Sequence, residues 1–154
     1  MERSISVTIG QGCLNHNNRV FVAENVDSDR ISRNVVFVRK DIRVVYHELF
    51  DEAVAEYNDR QKRKDRRISD YYKKIKNGSQ EHLFTEVIVQ IGNMKDSNCT
   101  MEEAETVQGI LTDYMQDFEK RNPNLKVFNA VLHMDEQTPH LHIDFVPFSE
   151  GNKR

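Results

Sequence analysis

The segment LHMDEQTPHLHIDFVPF, residues 132–148, constrains the fold more than any other part of the chain. It holds three of the six histidines, at positions 133, 140 and 142. Because side chains alternate across a β-strand, residues two apart share a face. Alternation therefore predicts two strands, each with one apolar face and one face carrying histidine. The apolar faces comprise Phe128, Ala130, Leu132, Leu141, Ile143 and Phe145; the opposite faces comprise Val127, Asn129, Val131, His133, His140, His142 and Asp144.

The rest of the chain alternates between strand and helix patterns. Period-two alternation over residues 4–9 and the apolar runs NVVFV and TEVIVQIG predict three further strands. Apolar spacing predicts an amphipathic helix from Asp41 that continues through a basic segment to Asn77. Another helix is predicted from the capping residue Thr100 to a stop at Pro123. The order predicts a single α+β domain, an antiparallel sheet with helices packed on one face.

Composition and charge narrow the class of protein. The 154 residues suit one domain, and no apolar run reaches the ~18 residues of a membrane span or resembles a signal peptide, so we expect a cytoplasmic protein. Residues 1–80 hold 16 basic and 12 acidic side chains, whereas residues 81–154 hold 6 and 13. A net charge of -3 is therefore compatible with nucleic-acid binding, provided that the basic charge is clustered.

The histidine faces suggest a metal centre. If the two strands pair as a hairpin, or flank a common neighbour, the imidazoles of His133, His140 and His142 can converge and leave coordination positions open, which is typical of catalytic metal sites. Asp135 and Glu136 in the connecting loop are candidates to fix a histidine tautomer. The alternative is that the histidines are solvated residues of a polar hairpin. Imidazole ligands do not identify the metal.

The histidine segment resembles the metal motif of HUH endonucleases. The wider pattern resembles the relaxase domain of the Mob/Pre family of plasmid mobilisation and recombination proteins. This wider pattern comprises the histidine segment, NHNNR at residues 15–19 and the later polar residues Asn25, Asp27, Arg30 and Asn34. The resemblance runs from the first strand to the last residue and implies an HUH relaxase fold with an RRM-like core.

The resemblance implies a function and a nucleophile. Such relaxases nick one strand at an origin of transfer, remain bound to the 5′ phosphate and free a 3′ hydroxyl. The Mob/Pre nucleophile is a histidine in an HNxR motif, which corresponds to His16, with Arg19 after it. A divalent metal, Mn²⁺ or Mg²⁺, would polarise the scissile phosphate, and Arg19 would clamp a phosphate oxygen. Glu136 would support a metal ligand, bind the metal through water or transfer a proton, and Asp27 would orient His16 or a ligand.

A basic run lies within the helical segment predicted from Asp41 to Asn77. It would bind DNA phosphates together with Arg19 and Arg30, or else form a solvated helical face. Tyr71 and Tyr72 just beyond it would stack on bases or pack in the protein. The run comprises Arg60, Lys62, Arg63, Lys64, Arg66 and Arg67.

The expected partner is single-stranded or locally melted origin DNA, with no membrane contact. Two alternatives stay open: a replication initiator or transposase with a nucleophilic Tyr46, Tyr71 or Tyr72, and a metal-stabilised DNA-binding module without turnover. Family members continue beyond a segment such as SEGNKR at residues 149–154, so we expect an N-terminal fragment whose dimerisation would depend on a further C-terminal region.

Overall fold

The architecture is a five-stranded antiparallel sheet with helices, seen in a computed structural model that describes residues 3–92 and 101–151. The strands are β1 (Ile5–Ile9), β2 (Val35–Arg39), β3 (Thr85–Ile91), β4 (Leu125–His133) and β5 (His140–Pro147). The helices are α1 (Leu14–Asn17), α2 (Ile42–Asp59), α3 (Tyr71–Asn77), α4 (Met101–Gln116) and α5 (Phe118–Arg121), with 3₁₀ turns at Ser28–Arg33 and Lys64–Arg66. The predicted cap Thr100 lies outside the described residues.

The histidine-bearing strands form the middle of the sheet. The strand order is β1-β3-β5-β4-β2, and every neighbouring pair is antiparallel. In the β4–β5 hairpin, His133 pairs with His140 and Val131 pairs with His142. The two strands therefore pair as a hairpin, one of the two arrangements considered from the sequence, and the α+β class is confirmed. The central position of both strands holds the three imidazoles on rigid backbone.

One face of the sheet packs against α4 and α5. Val107 and Leu111 from α4 and Phe118 from α5 lie against apolar residues of the central strands, including Leu141 and Ile143. Each such side chain is almost completely buried, and burial of a leucine or phenylalanine stabilises the fold by about 1.5–3 kcal/mol. This cluster is the main hydrophobic core.

The opposite face is divided between the histidines and a second apolar cluster. Val45 and Tyr46 of α2 and Ile75 of α3 pack against Phe128 and Val146, which lie on the same face as the histidines. Helices therefore cover parts of both faces, which differs from the expected packing on one face only.

A β-bulge in β4 changes the predicted assignment of two residues. The register shifts between Val127 and Asn129. Strict alternation would put Phe128 on the apolar face with Ala130, but Val127 takes that place and Phe128 turns to the second cluster. The extra residue of a bulge reverses the facing of the residues before it.

The helical region after Asp41 is interrupted. Asp41 caps α2 by accepting a hydrogen bond from the Arg43 amide at 2.8 Å, as the predicted start requires. The helix ends at Asp59, and Asn58 binds both backbone groups of Ile68, at 2.8 and 2.7 Å. Because Asp70 then caps α3, the chain returns to α2 instead of continuing as the predicted long helix.

The first strand lies at the edge of the sheet and is exposed on both faces. Ile5, Val7 and Ile9 are each more than half exposed, at 58%, 55% and 74%, in contrast to the half-buried strand expected from their alternation.

None of the described helices is long and apolar enough to cross a bilayer.

Candidate metal centre

The three histidines of the central hairpin converge in the structure. The ring centroids of His133 and His142 lie 4.6 Å apart, those of His140 and His142 lie 4.9 Å apart, and those of His133 and His140 lie 5.1 Å apart. All three residues are buried. This geometry agrees with the tripod expected from strand parity.

The outer ring nitrogens of two histidines bind backbone carbonyls. Nε2 of His133 donates to the carbonyl oxygen of Asn17 at 2.7 Å, and Nδ1 of His140 donates to that of Thr138 at 2.8 Å. A carbonyl oxygen only accepts, so these nitrogens carry the protons of the neutral rings. Nδ1 of His133 and Nε2 of His140 consequently present lone pairs to each other across 3.3 Å.

This arrangement fits a bound cation. Facing lone pairs repel each other unless a cation lies against both, and ligating histidines commonly donate their other N–H to a carbonyl. Among the described residues, Nε2 of His142 is buried and has no hydrogen-bond partner. The site therefore offers three buried imidazole nitrogens that no protein donor satisfies.

Burial keeps the rings of His133 and His140 neutral. It lowers the pKa of His133 to about 3, with further lowering by His142 and His140. Burial also lowers the pKa of His140, as does the neighbouring His142. Neutral imidazole is the form that ligates metals, so the deprotonated state is available without cost at neutral pH.

The short helix α1 brings His16 to the same cluster. Its ring centroid lies 5.9 Å from that of His133 and 6.2 Å from that of His142. One nitrogen each from His16, His133 and His142 falls within a 4.8 Å group. Burial lowers the pKa of His16, and the Arg19 cation lowers it further. His16 is thus a partly exposed, neutral imidazole at the edge of the buried histidines.

Arg19 is held by acidic residues of the hairpin loop. It has a positive φ of 53° and donates through Nε and Nη2 to the two carboxylate oxygens of Asp135, at 2.8 and 2.6 Å. Nη2 also reaches Glu136 at 2.9 Å. Nε and Nη2, with which Arg19 would clamp a phosphate oxygen, are therefore already bound to carboxylates. The remaining Nη1 lies 3.4 Å from Nε2 of His16, which favours a lone pair on that nitrogen.

Glu136 lies beside two of the buried histidines. Its Oε1 is 3.7 Å from Nε2 of His140 and 3.9 Å from Nδ1 of His133, and the three residues form a second group of possible ligands. Its Oε2 accepts a hydrogen bond from Asn25 at 2.9 Å. This position is compatible with the three roles considered from the sequence, which are support of a metal ligand, binding of the metal through water and proton transfer.

The polar segment before β2 supports this loop instead of contacting the histidines. Asn34 donates to Asp135 at 2.8 Å and accepts from the Met134 amide at 2.7 Å. The side chain of Asp27 caps the turn Ser28–Arg33 and pairs with Arg30 at 2.9 Å. The contacts of Asp27 therefore do not support the role considered from the sequence, in which Asp27 orients His16 or a metal ligand.

Sequence reasoning missed a buried polar network behind the histidines. Asn17 donates to Glu86 and, at 3.2 Å, to Asp144, which also accepts from Asn129 at 2.9 Å. Oε2 of Glu86 lies 3.4 Å from Nδ1 of His142. A signal existed, because Glu86 is the acidic residue inside the apolar run TEVIVQI and Asp144 shares its face with the histidines.

The two carboxyl groups of this network have divergent pKa values. Burial raises the pKa of Asp144 to about 8, and the adjacent Glu86 raises it as well. Burial alone would also raise that of Glu86, but His142, Asp144 and Asn17 bring it down to about 2. At neutral pH the pair therefore holds one negative charge, on Glu86, directly behind His142.

The tyrosines proposed as alternative nucleophiles lie in the second apolar cluster. Tyr46 is 5% exposed and donates its hydroxyl to the Leu83 carbonyl at 2.6 Å. Burial raises its pKa to about 12. Tyr71 packs on Phe50 at 5.0 Å, and Tyr72 packs on Tyr46 at 5.5 Å. In the described ranges, none of the ring contacts joins a tyrosine to a histidine of the cluster.

The basic run forms the exposed connection between α2 and α3, which we call the basic loop (residues 60–67). All six of its cationic side chains are exposed, although Arg63 pairs with Asp65 at 2.6 Å. No hydrogen bond or ion pair found in the described residues links the loop to the histidine cluster.

Comparisons with known proteins agree with this architecture. A model of the Mob/Pre family, described as "Plasmid recombination enzyme", matches residues 37–154. The solved Mn-bound MobM relaxase domain with a 23-nucleotide oriT DNA of plasmid pMV158 is 21% identical, with a TM-score of 0.50 over 96% of this chain and 71% of that chain. A second Mn-bound MobM structure, with 22-nucleotide DNA and a 3′ thiophosphate, is 21% identical with a TM-score of 0.49 over 96% and 72%. No curated protein sequence matches.

The family match includes all three buried histidines but begins after His16 and Arg19. The structural likeness supports the fold. Because the family model spans well over half of the sequence, the family resemblance is confirmed, and the chain belongs to the Mob/Pre family of plasmid recombination enzymes.

Proposed function

We propose that residues 1–154 form a relaxase domain that nicks one DNA strand at a plasmid or mobile-element origin and transfers it through a covalent intermediate. Family membership supports this proposal. So do the solved MobM relaxase domains, which are described as bound to oriT DNA and Mn. The single observation that carries it is the partly exposed His16 beside three buried, unsatisfied histidine nitrogens.

The donor set defines the cofactor class. His133, His140 and His142 would hold a divalent ion, Mn²⁺ or Mg²⁺, with Glu136 within reach of the same site. When bound, the ion would supply Lewis-acid polarisation of the scissile phosphate and neutralise charge in the transition state. Asn17 and Thr138 fix two of the ring orientations through their carbonyl groups. Glu86 supplies negative charge behind the third ring.

His16 is the proposed nucleophile. The lone pair of Nε2 forms the N–P bond while the P–O3′ bond breaks. The 3′ oxygen leaves as a hydroxyl after gaining a proton, and the second ring nitrogen of His16 loses one, so charge and protons balance. Its lowered pKa keeps the imidazole neutral for this attack. Glu136 is the candidate to relay the proton, because it lies between Arg19 and the histidines.

Arg19 has a positioning role in this scheme. Its double hydrogen bond to Asp135 fixes the guanidinium, and Nη1 reaches Nε2 of His16. It therefore selects the tautomer with a reactive Nε2, while its charge is offset by Asp135 and Glu136. DNA phosphates away from the site would contact Arg30 and the basic loop, whose cations are Arg60, Lys62, Arg63, Lys64, Arg66 and Arg67.

Metal-dependent cleavage tests the proposal. Candidate origin single strands are incubated with the protein and Mn²⁺ or Mg²⁺, and a covalent adduct is sought by denaturing electrophoresis. The expected result is an adduct that a chelator abolishes and that His142→Ala lowers at least 100-fold. The control His47→Ala, at an exposed residue of α2, should retain activity.

Calorimetric titration of Mn²⁺ accompanies the cleavage assay. His142→Ala should weaken binding whereas His47→Ala should not, because only His142 belongs to the buried cluster. Tight DNA and metal binding without cleavage of any origin strand would contradict the proposal and favour a DNA-binding module without turnover.

A further inference from the structure

An exposed apolar segment borders the proposed nucleophile. Val20, Phe21 and Val22 are 71%, 49% and 53% exposed, respectively, and follow Arg19 directly in the chain. The ring centroid of Phe21 lies 5.8 Å from that of His16, at an interplanar angle of 47°. Exposed loops are usually polar, so three consecutive large apolar side chains at this place require an explanation.

The segment is tied to the site at both ends. The Val20 amide donates to the Asn15 carbonyl at 2.8 Å, and the Asp27 amide donates to the Asp135 carbonyl at 2.7 Å. Asn25 adds the contact to Glu136. The apolar tip, residues 20–22, is therefore held beside His16 by backbone hydrogen bonds to α1 and to the hairpin loop. Its side chains are exposed although the loop that carries them is anchored at both ends.

The surroundings indicate what would cover this tip. Arg19 lies on one side, and the exposed Arg39, which donates to Asn18 at 3.3 Å, lies near α1. An aromatic face next to cationic side chains is the combination that binds unpaired nucleotides, through stacking on bases and attraction of phosphates. A protein segment on this tip would obstruct His16, whereas a DNA strand must reach His16 to be cleaved.

We propose that Phe21 stacks on an unpaired base next to the scissile phosphate, with Val20 and Val22 forming the apolar edge of the same base site. This inference rests on the proposed function, because it takes its substrate to be a single DNA strand at His16. Stacking would orient the nucleotide that flanks the phosphate, and it would select for melted DNA because paired bases do not expose their faces to the ring.

Cross-linking tests the contact directly. The probe is a single-stranded DNA pool with 5-iodouracil in place of thymine, which couples to aromatic side chains stacked on it under ultraviolet light. Tryptic cleavage releases residues 20–30, in which Phe21 is the only aromatic residue. The expected result is a cross-link on this peptide that persists in His16→Ala and disappears in Phe21→Leu.

Affinity for the same single-stranded pool, measured by fluorescence anisotropy, tests the energetic contribution. Phe21→Leu should weaken binding by roughly tenfold, whereas Phe21→Trp should bind at least as tightly as the wild type. Val44→Ala, at a similarly exposed apolar residue of α2, is the matched control and should not change affinity.

The outcomes separate this inference from the proposed function. A cross-link at Phe21 without any cleavage adduct would support base stacking and count against the nicking activity alone. Cleavage with cross-links only at other aromatic residues would overturn the inference and leave the nicking activity standing. Equal loss of affinity in Phe21→Leu and Phe21→Trp would also overturn it, because the ring would then serve only to support His16.

Discussion

The histidines of the central hairpin differ in how their outer nitrogens are bound. His133 and His140 each donate to a backbone carbonyl, whereas Nδ1 of His142 faces the carboxylate of Glu86. A carboxylate behind an imidazole raises its basicity as a ligand, and a carbonyl mainly fixes its orientation. His142 is thus the ring whose donor strength depends most on a neighbouring charge.

Asp144 provides a residue-scale prediction about this charge. With its pKa raised to about 8, Asp144 is neutral at pH 7, and an asparagine of the same shape presents an oxygen to Asn129 and an amide towards Glu86. We expect Asp144→Asn to change the free energy of unfolding by less than about 1 kcal/mol, because it replaces one neutral hydrogen-bonding group by another. Urea denaturation at pH 7 measures this.

The companion variant Asp144→Leu should destabilise the protein by several kcal/mol, because Asn17 and Asn129 would lose a buried acceptor. A large loss in Asp144→Asn, comparable with that in Asp144→Leu, would show that the ionised carboxylate is required.

The hairpin shows how much of the site alternation alone could predict. It placed His133, His140 and His142 on one face because β5 is regular over its whole length and the register near the turn is undisturbed. It misplaced Val127 and Phe128 because a bulge leaves no distinctive pattern in a run that is apolar on both sides. Glu86 was missed because only strand pairing brings β3 next to β5.

The long helix predicted after Asp41 was wrong for a similar reason. Arg and Lys are good helix formers, so the basic loop continued the helical pattern. The break depends on the Asn58 side chain binding the backbone of Ile68, ten residues later, and on packing of α3 against α2. Such tertiary contacts carry no local signal.

The β1–α1 connection gives a prediction at the scale of elements. An added Cβ at Gly10 would overlap the Glu86 carboxylate, so Gly10→Ala must displace Glu86 or the connection itself. Because Glu86 supports His142, we expect Mn²⁺ affinity to fall about 10- to 100-fold, as for other partners of metal-ligating histidines. Isothermal titration calorimetry provides the measurement.

Gly109→Ala is the matched control, since its Cβ in α4 would meet nothing within 4 Å. It should leave Mn²⁺ affinity unchanged and stabilise the helix by about 0.5–1 kcal/mol. Unaltered metal binding in Gly10→Ala would mean that Glu86 has no influence on the histidine cluster.

At the scale of the whole molecule, charge and metal chemistry occupy separate regions. The acidic second half of the sequence supplies the hairpin with its histidines, whereas the basic loop projects between α2 and α3. The count of charges by halves shows the excess of basic side chains in residues 1–80 and of acidic side chains in residues 81–154. The composition could not indicate that the His16 region would fold against the hairpin, because that contact joins residues more than a hundred positions apart.

The basic loop predicts a specific salt dependence. If its cations contact DNA phosphates, the double variant Arg66→Gln, Arg67→Gln should reduce the slope of log affinity against log salt by up to about 1.4 for single strands. Anisotropy titrations over a range of salt concentrations measure the slope. Lys120→Gln with Arg121→Gln, on α5 across the sheet, serves as the control. Equal slopes for wild type and loop variant would exclude the loop from the DNA contact.

The buried histidines predict how stability depends on pH in the presence of a chelator. The unfolded chain binds a proton at His133 near pH 6.5, whereas the folded chain does so only near the lowered pKa of about 3. Between these values the unfolded state holds more protons, so stability falls as pH falls, by about 1.4 kcal/mol per pH unit for this residue. His140 and His16 act in the same direction. Asp144 acts in the opposite direction, because its raised pKa of about 8 means that the folded chain holds a proton there that the unfolded chain has lost.

The measurement is urea denaturation at pH 7 and at pH 5, above the range in which Glu86 and Asp135 titrate, in the background of Asp144→Asn, which removes the opposing contribution of Asp144. In the same background His47→Gln, at an exposed position, should keep the same dependence. Constant or rising stability on acidification would contradict burial of neutral histidines.

The central claim is that His16 attacks DNA beside the metal-binding histidines. The most direct measurement is mass spectrometry of the covalent adduct, with digestion at neutral pH because acid hydrolyses the N–P bond. Tryptic cleavage yields residues 4–19, which contain His16 as the only histidine and no tyrosine. We predict the nucleotide mass on this peptide and its loss in His16→Ala, with DNA binding retained. A nucleotide on Tyr46, Tyr71 or Tyr72, or an adduct that persists in His16→Ala, would contradict the claim.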